Sequence, residues 1–333
     1  MERKRYDFID VAKAIAIVLV VVGHWHPDNS PQWYEGVWKV IYSFHMPLFL
    51  MASGFLYMAT YRAGQSYFTF LKKKVLRLAV PYLTVSCLVI TIKLLTEKAG
   101  GGSSLDNPVT LFSYVQMFYL PVAGYFLWFI WTLMTAFVIM PAFRTKWLRL
   151  LLLIATIALA YSPLQFTKLF ALEQSRLMLM YFVAGTVVFD FKEQLARLAK
   201  VPFAVTCGLM VAGEALYLTD VLPAVTCVLP FIGIATVFQL SDICVRRGRN
   251  GWFVKSAISV SIASYTIYLL HTTCEGFAKA ALGKVPALIS PENTALFVVG
   301  SLIIISVGVA VPYLLHYKVL SRWRITRFLF SIK

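Results

Sequence analysis

The sequence predicts an all-α, polytopic membrane helical bundle of about ten transmembrane helices, with both termini cytoplasmic. Three observations carry that expectation. Of 333 residues, 59% are hydrophobic and 14% charged, against roughly 45–50% and about 25% in ordinary soluble domains. Mean hydropathy is +0.75 over the whole length, too apolar for one core under a wettable shell. The 31 Lys and Arg residues fall mostly in short runs between apolar segments. A soluble enzyme, a secreted disulfide scaffold and a disordered regulator are excluded on this composition.

A bilayer core of about 30 Å takes about 20 helical residues. On that ruler the expected spans are residues 8–25, 37–61, 76–96, 123–143 and 148–161, then 176–191, 201–218, 221–241, 256–277 and 294–316. The fifth and sixth are short. Residues 109–121 are apolar but short and bounded by prolines, which suits an interfacial or re-entrant piece. Residues 100–104 read GGGSS, a flexible outer stretch. No internal repeat, low-complexity tract or nucleotide-binding glycine fingerprint is present, and nothing at the N-terminus reads as a cleavable signal.

The net charge of +16 would suggest nucleic acid in a soluble chain. Here its distribution follows the positive-inside rule, so no nucleic-acid partner is expected. The N-terminus, the C-terminus and the loops on their side hold 23 Lys and Arg residues, and the opposite side holds 7. That asymmetry predicts an even number of spans. The five cysteines are scattered singly with no metal-ligand spacing, and no metal is expected.

An ionisable side chain inside a span is costly and is by default a functional hypothesis. The first span carries Asp10, Lys13 and His24. Lys13 and His24 are eleven residues apart, about 16 Å along one helix face, with Lys13 near the inner side and His24 near the outer. The plainer alternative has Lys13 snorkelling to headgroups and His24 interfacial. The second span holds His45 beside Pro47, then Ser53 and Gly54, a small-residue spot for a helix or a substrate. Lys72, Lys73, Lys74 and Arg77 precede the third span, as a positive-inside anchor or as a phosphate site for an anionic cofactor. Arg176, Glu214 and His271 fall in the outer halves of later spans. Trp128 belongs to an aromatic run, either an interface belt or a stacking surface for sugar rings.

The segments IDVAKAIAIVLVVVGHW (9–25) and SFHMPLFLMASGFLY (43–57) resemble the N-terminal signature of the acyltransferase family 3 membrane acyltransferases. Within that family they look like the fucose 4-O-acetylase-like polysaccharide O-acetyltransferase branch. KKKVLRLAVPY (72–82), LWFIWTLM (127–134), YFVAG (181–185) and ASYTIYLLHT (263–272) follow in family order. The resemblance implies one membrane-embedded acyltransferase domain over residues 1–333. It implies transfer of an acyl group, typically acetyl, from cytoplasmic acetyl-CoA or another acyl-CoA to a sugar hydroxyl of a surface polysaccharide or lipid-linked glycan. It also implies a bacterial inner or plasma membrane location, among membrane lipids and alongside other glycan-assembly proteins.

The family's basic residue and histidine fall on Lys13 and His24. A sugar hydroxyl is a poor nucleophile at neutral pH, and histidine is the side chain poised to take its proton. His24 is therefore the expected general base, with Lys13 and His45 beside it as catalytic residues. Lys72, Lys73, Lys74 and Arg77 are expected to hold the CoA phosphates. Ser53, Trp128, Arg176, Glu214 and His271 are the candidate acceptor contacts. The competing reading is a carrier or flippase for a glycan or lipid-linked sugar, against which stands the lack of an internal repeat.

Overall fold

A computed structural model describes residues 5–27, 30–60, 64–98, 108–195, 201–285 and 288–332. Every element among them is helical. In chain order these are α1 (Asp7–His24), α2 (Gln32–Thr60), α3 (Tyr67–Thr96), α4 (Ser113–Gln116), α5 (Trp128–Ile139) and α6 (Lys146–Ala160). There follow α7 (Leu172–Asp190), α8 (Lys192–Leu195), α9 (Phe203–Leu218), α10 (Leu229–Gly248), α11 (Trp252–Leu282), α12 (Thr294–Leu315) and α13 (Arg324–Leu329). A helix occupies each of the ten segments read as spans. Among the described residues six helical stretches are long and apolar enough to cross a membrane: Gln32–Thr60, Tyr67–Thr96, Tyr125–Ala142, Leu229–Gly248, Trp252–Leu282 and Thr294–Leu320. The protein is thus an all-helical membrane protein. Segment 109–121 holds only the one-turn α4, tied to α3 by the Tyr82 hydroxyl, which lies 2.7 Å from the Met117 carbonyl. The glycine-rich expectation at 100–104 lies outside the described residues.

The chain forms two compact units, Met1–Ala59 with Val188–His316, and Thr60–Val187 with Tyr317–Lys333. In the first unit α1 packs against α10, α11 and α12. Ile9, Val11, Ala12, Ala16, Ile17, Val20 and Val21 are all sealed from solvent. A helix apolar on so many sides belongs in the middle of a bundle. Its first turn carries Asp7 and Asp10, which suit the positive end of the helix dipole. Asp7 pairs with Arg249 at 2.6 Å, while Asp10 takes Arg5 and the Ser261 hydroxyl, each at 2.8 Å. Above this polar end, Tyr6, Phe8, Phe55 and Phe189 meet edge to face around Ile9 and Ala52.

Helix α2 runs unbroken through Pro47. Gly233 of α10 admits it closely, because a Cβ there would lie 2.7 Å from Cγ of Phe44. In the second unit α3 packs against α5, α4 and α13. Arg176 of α7 closes the C-terminal end of α6, donating from Nη1 to the Leu159 and Ala160 carbonyls at 2.9 and 3.0 Å. Its Nη2 lies 2.6 Å from Glu173.

Gly233→Val would force the Phe44 ring out of its seat. Overpacking of this kind costs about 1–3 kcal/mol, so the expected outcome is a lower thermal midpoint in detergent, measured beside Gly208→Val, where a Cβ meets open space.

Candidate active site

A helix leaves its last four carbonyls without intrahelical donors. At the end of α1 two of these are met from α2. Trp38 Nε1 donates to the Gly23 carbonyl at 3.0 Å, and the Tyr34 hydroxyl donates to the Trp25 carbonyl at 2.7 Å. Trp25 in turn donates from Nε1 to Ser301 Oγ on α12 at 2.9 Å, and it packs with Tyr34, Phe297 and Ile304. His24 therefore stands between two residues whose carbonyls are clamped. Gly23 allows the clamp to close, since a Cβ there would come within 3.0 Å of Cε2 of Tyr42.

The His24 ring meets His271 of α11 with ring centroids 4.8 Å apart and planes inclined at 58°. His271 is fully buried, and its Nδ1 lies 2.7 Å from the Tyr268 carbonyl and 3.1 Å from that of Ile267. A carbonyl only accepts, so Nδ1 carries the hydrogen, and Nε2 is the basic nitrogen of the neutral ring. His45, 1% exposed, is oriented in the same way, with Nδ1 2.7 Å from the Ile41 carbonyl. Its ring packs against Tyr42 at 4.8 Å, and Tyr42 stacks on Trp38 at 4.1 Å. One line of rings on α2 thus runs from the clamp to His45. Both His45 and His271 are within electrostatic range of His24.

Two buried carboxyl groups belong to the same unit. Glu214 of α9 is buried and accepts a hydrogen bond from Ser43 of α2 at 2.6 Å, while its Oε2 has no hydrogen-bond partner among the described residues. Glu275 of α11, 6% exposed, sits one turn beyond His271. No role was assigned to it from the sequence. The signal was available: it is an ionisable residue inside an expected span, four places from a histidine and so on the same helix face. Tyr34, Trp38 and Tyr42 also went unread as supports for His24, because only the folded chain returns α2 to the end of α1.

Lys13 is half-buried on α1. Ser53 donates to the carbonyl of Phe49, four residues back, at 2.8 Å, which is a local bond within α2. Trp128 opens α5 in the second unit, edge-on to Phe129. Arg176, also in the second unit, is engaged by Glu173 and the end of α6 as described above. The sequence brings Lys72, Lys73, Lys74 and Arg77 together on α3, but the side chains differ in setting. Lys72 and Lys73 are exposed, and Lys74 lies over the Phe137 ring, 4.4 Å from its centroid. Arg77 lines a cavity of about 390 Å³ with Arg324 and Arg327 of α13, walled by Leu76, Phe328 and Ile332. In the sequence alone the two C-terminal arginines count only among the positive charges on the side of the termini. Among the described residues no three His, Cys, Asp or Glu side chains form a metal-ligand group.

Residues 6–317 match a family whose description is acyltransferase domain, of the acyltransferase 3 type. The chain is also 27% identical over 169 residues to nodulation protein NolL of Sinorhizobium fredii, a match covering 48% of this chain and 42% of that protein. The matched part therefore spans less than half the length of this curated relative. No solved structure matches.

Trp38→Phe keeps a ring for Tyr42 to stack on and removes the donor to the Gly23 carbonyl. A buried carbonyl left unpaired costs about 1–3 kcal/mol. The expected result is a lower melting midpoint in detergent, and faster carbethoxylation of His24 as the end of α1 loosens.

Proposed function

Since the chain belongs to the acyltransferase 3 family and is a membrane acyltransferase, we propose that it moves an acetyl or similar short acyl group from cytoplasmic acyl-CoA to a sugar hydroxyl of a surface or lipid-linked glycan. The observation that carries this reading is that the His24 ring meets the fully buried His271, with the buried His45 within electrostatic range of His24. His24 is the general base. It takes the acceptor's proton as the oxygen attacks the thioester carbon, the C–S bond breaks, and the proton passes to the departing CoA sulfur. His45 and His271 present Nε2 as a proton acceptor in their neutral forms, which suits them to receive the acceptor's other hydroxyls, and Glu214 offers a free carboxyl oxygen for the same purpose. The clamp on Gly23 and Trp25 keeps the base in place between turnovers.

The donor's phosphates are assigned to Arg77 together with Arg324 and Arg327. Three guanidinium groups around a cavity with apolar walls suit a nucleotide carrying phosphates, since arginine pairs with phosphate bidentately. Lys72 and Lys73 add positive charge at the same helix end. This proposal includes ten spans, cytoplasmic termini and a bacterial inner membrane, which would put the basic cluster on the acyl-CoA side. The carrier reading finds no support in the family match.

The test is transfer from radiolabelled acetyl-CoA by purified, reconstituted protein, with candidate surface glycans as acceptors. General-base catalysis contributes about 10²–10⁴-fold, so His24→Ala is expected to lose at least about a hundredfold in alkali-labile label while eluting as the native protein does. Label transferred equally by His24→Ala would refute the assignment of the base.

Arg324→Ala and Arg327→Ala are each expected to raise KM for acetyl-CoA by at least about tenfold with kcat little changed, from the loss of charge-assisted hydrogen bonds worth roughly 1.5–3 kcal/mol. Initial rates across a range of donor concentrations measure this directly.

A further inference from the structure

Glu275 is a buried carboxyl for which the mechanism so far has no use. Its Oε1 is sealed from solvent without a hydrogen-bond partner among the described residues. Such a group is expensive inside a helical bundle and calls for a reason. The fold makes deliberate room for it. At Gly308 of α12, a Cβ would lie 2.8 Å from Glu275 Cγ, 2.9 Å from its Oε1 and 2.8 Å from Cγ1 of Val21. Any side chain at 308 would therefore take the place of this carboxyl. The same contacts put the Glu275 side chain beside Val21 on α1, three residues before His24.

The direction of the side chain follows from helix geometry. Side chains on a helix lean toward its N-terminus, over the preceding turn. Glu275 therefore leans back toward the level of His271, four residues earlier, and His271 is the residue whose ring meets His24. We propose that Glu275 is a positioning residue for acyl transfer, whose carboxylate is the counter-ion of the imidazolium that His24 becomes when it takes the acceptor's proton. This rests on the role given to His24 above. In the transfer step the acceptor O–H bond breaks and its proton goes to His24. The oxygen bonds to the acyl carbon, the C–S bond breaks, and the sulfur leaves as a thiolate that recovers the proton from His24. Glu275 gains and loses no bond. It holds the positive charge between the two proton transfers, in a place where water is excluded and opposite charges act strongly.

Among the described residues the titratable groups facing this region are few. α1 brings His24, with Lys13 three turns away at about 16 Å, and α2 brings Tyr34, Tyr42 and His45. His271 and Cys274 share α11 with Glu275. The α12 contact is at Gly308, which has no side chain. Tyr34, Tyr42 and Cys274 are within electrostatic range of Glu275. Apart from the distant Lys13, none of these groups is a permanent cation, so His24 in its protonated form is the partner whose charge a carboxylate would meet.

The sign is fixed by charge. A carboxylate beside His24 favours the imidazolium and raises its ionisation midpoint, so removing the carboxylate lowers it. The experiment is an NMR titration of ring-13C-histidine in the detergent-solubilised full chain, with His24 assigned by its absence in His24→Asn. In Glu275→Gln the His24 midpoint is expected to fall by about one pH unit or more. The acidic limb of kcat should move to lower pH by a similar amount, with KM for acetyl-CoA nearly unchanged. Glu275→Asp should restore most of the shift. An unchanged His24 midpoint in folded Glu275→Gln overturns the proposal. If Glu275→Gln does not fold, Glu275→Met decides: a lowered His24 midpoint supports the pairing, and an unchanged midpoint refutes it. A wild-type protein that transfers no acyl group from any acyl-CoA would refute the function proposed above, while the titration would still judge the pairing by itself.

Discussion

The chemistry of this protein depends on where one helix ends. A helix terminus leaves carbonyls that need donors, and burying that terminus means something else in the bundle must supply them. α1 is buried along most of its length and stops at His24. The donors come from Trp38 and Tyr34, at the start of α2, while Trp25 is tied to α12. The same hydrogen bonds that make the buried terminus tolerable fix the histidine standing on it. Stability and preorganisation are one arrangement here. The aromatic residues serve both ends, with polar tips on the carbonyls and faces against Phe297 or Tyr42.

Around that terminus the polar side chains solve their burial in two ways. His45 and His271 each turn Nδ1 onto a carbonyl of their own helix, which settles the tautomer and leaves one defined basic nitrogen per ring. Ser43 supplies one oxygen of Glu214. Glu275 has no such local solution, and the backbone at Gly308 is stripped of a side chain to admit it. Arg176 shows the contrasting case. It too is largely buried, yet its donors go to Glu173 and to the carbonyls ending α6, which accounts for its position without a ligand.

Much of this was legible in the sequence. The apolar segments match helices closely because backbone groups in a bilayer must bond within their own segment, so length and hydropathy alone mark them. His24, His45, Glu214 and His271 stood out by the same logic, as ionisable groups where they are expensive. α1 itself shows where that ruler weakens: with Asp7, Asp10 and Lys13 in 18 residues, it is absent from the helices long and apolar enough to cross by composition. The charges that disqualify it lie in its first half, two turns or more before the histidine on which the site is built. Glu275 carried the same signal as its neighbours, whereas Arg324 and Arg327 were indistinguishable from ordinary positive-inside charges until α13 folded back on α3.

By itself the sequence determined that the chain is helical, that it belongs in a membrane, and which costly residues are worth watching. Those are local properties, set by hydropathy, helix period and the price of a charge in hydrocarbon. The tertiary structure alone decided which of those residues meet. His24 and His271 are 247 positions apart, and no periodicity links them. Their rings touch because α1 and α11 pack face to face. Arg77 and Arg327 share a cavity for the same kind of reason. Contact between distant segments follows from how side-chain shapes interlock across helices, and that information is spread over the whole buried surface.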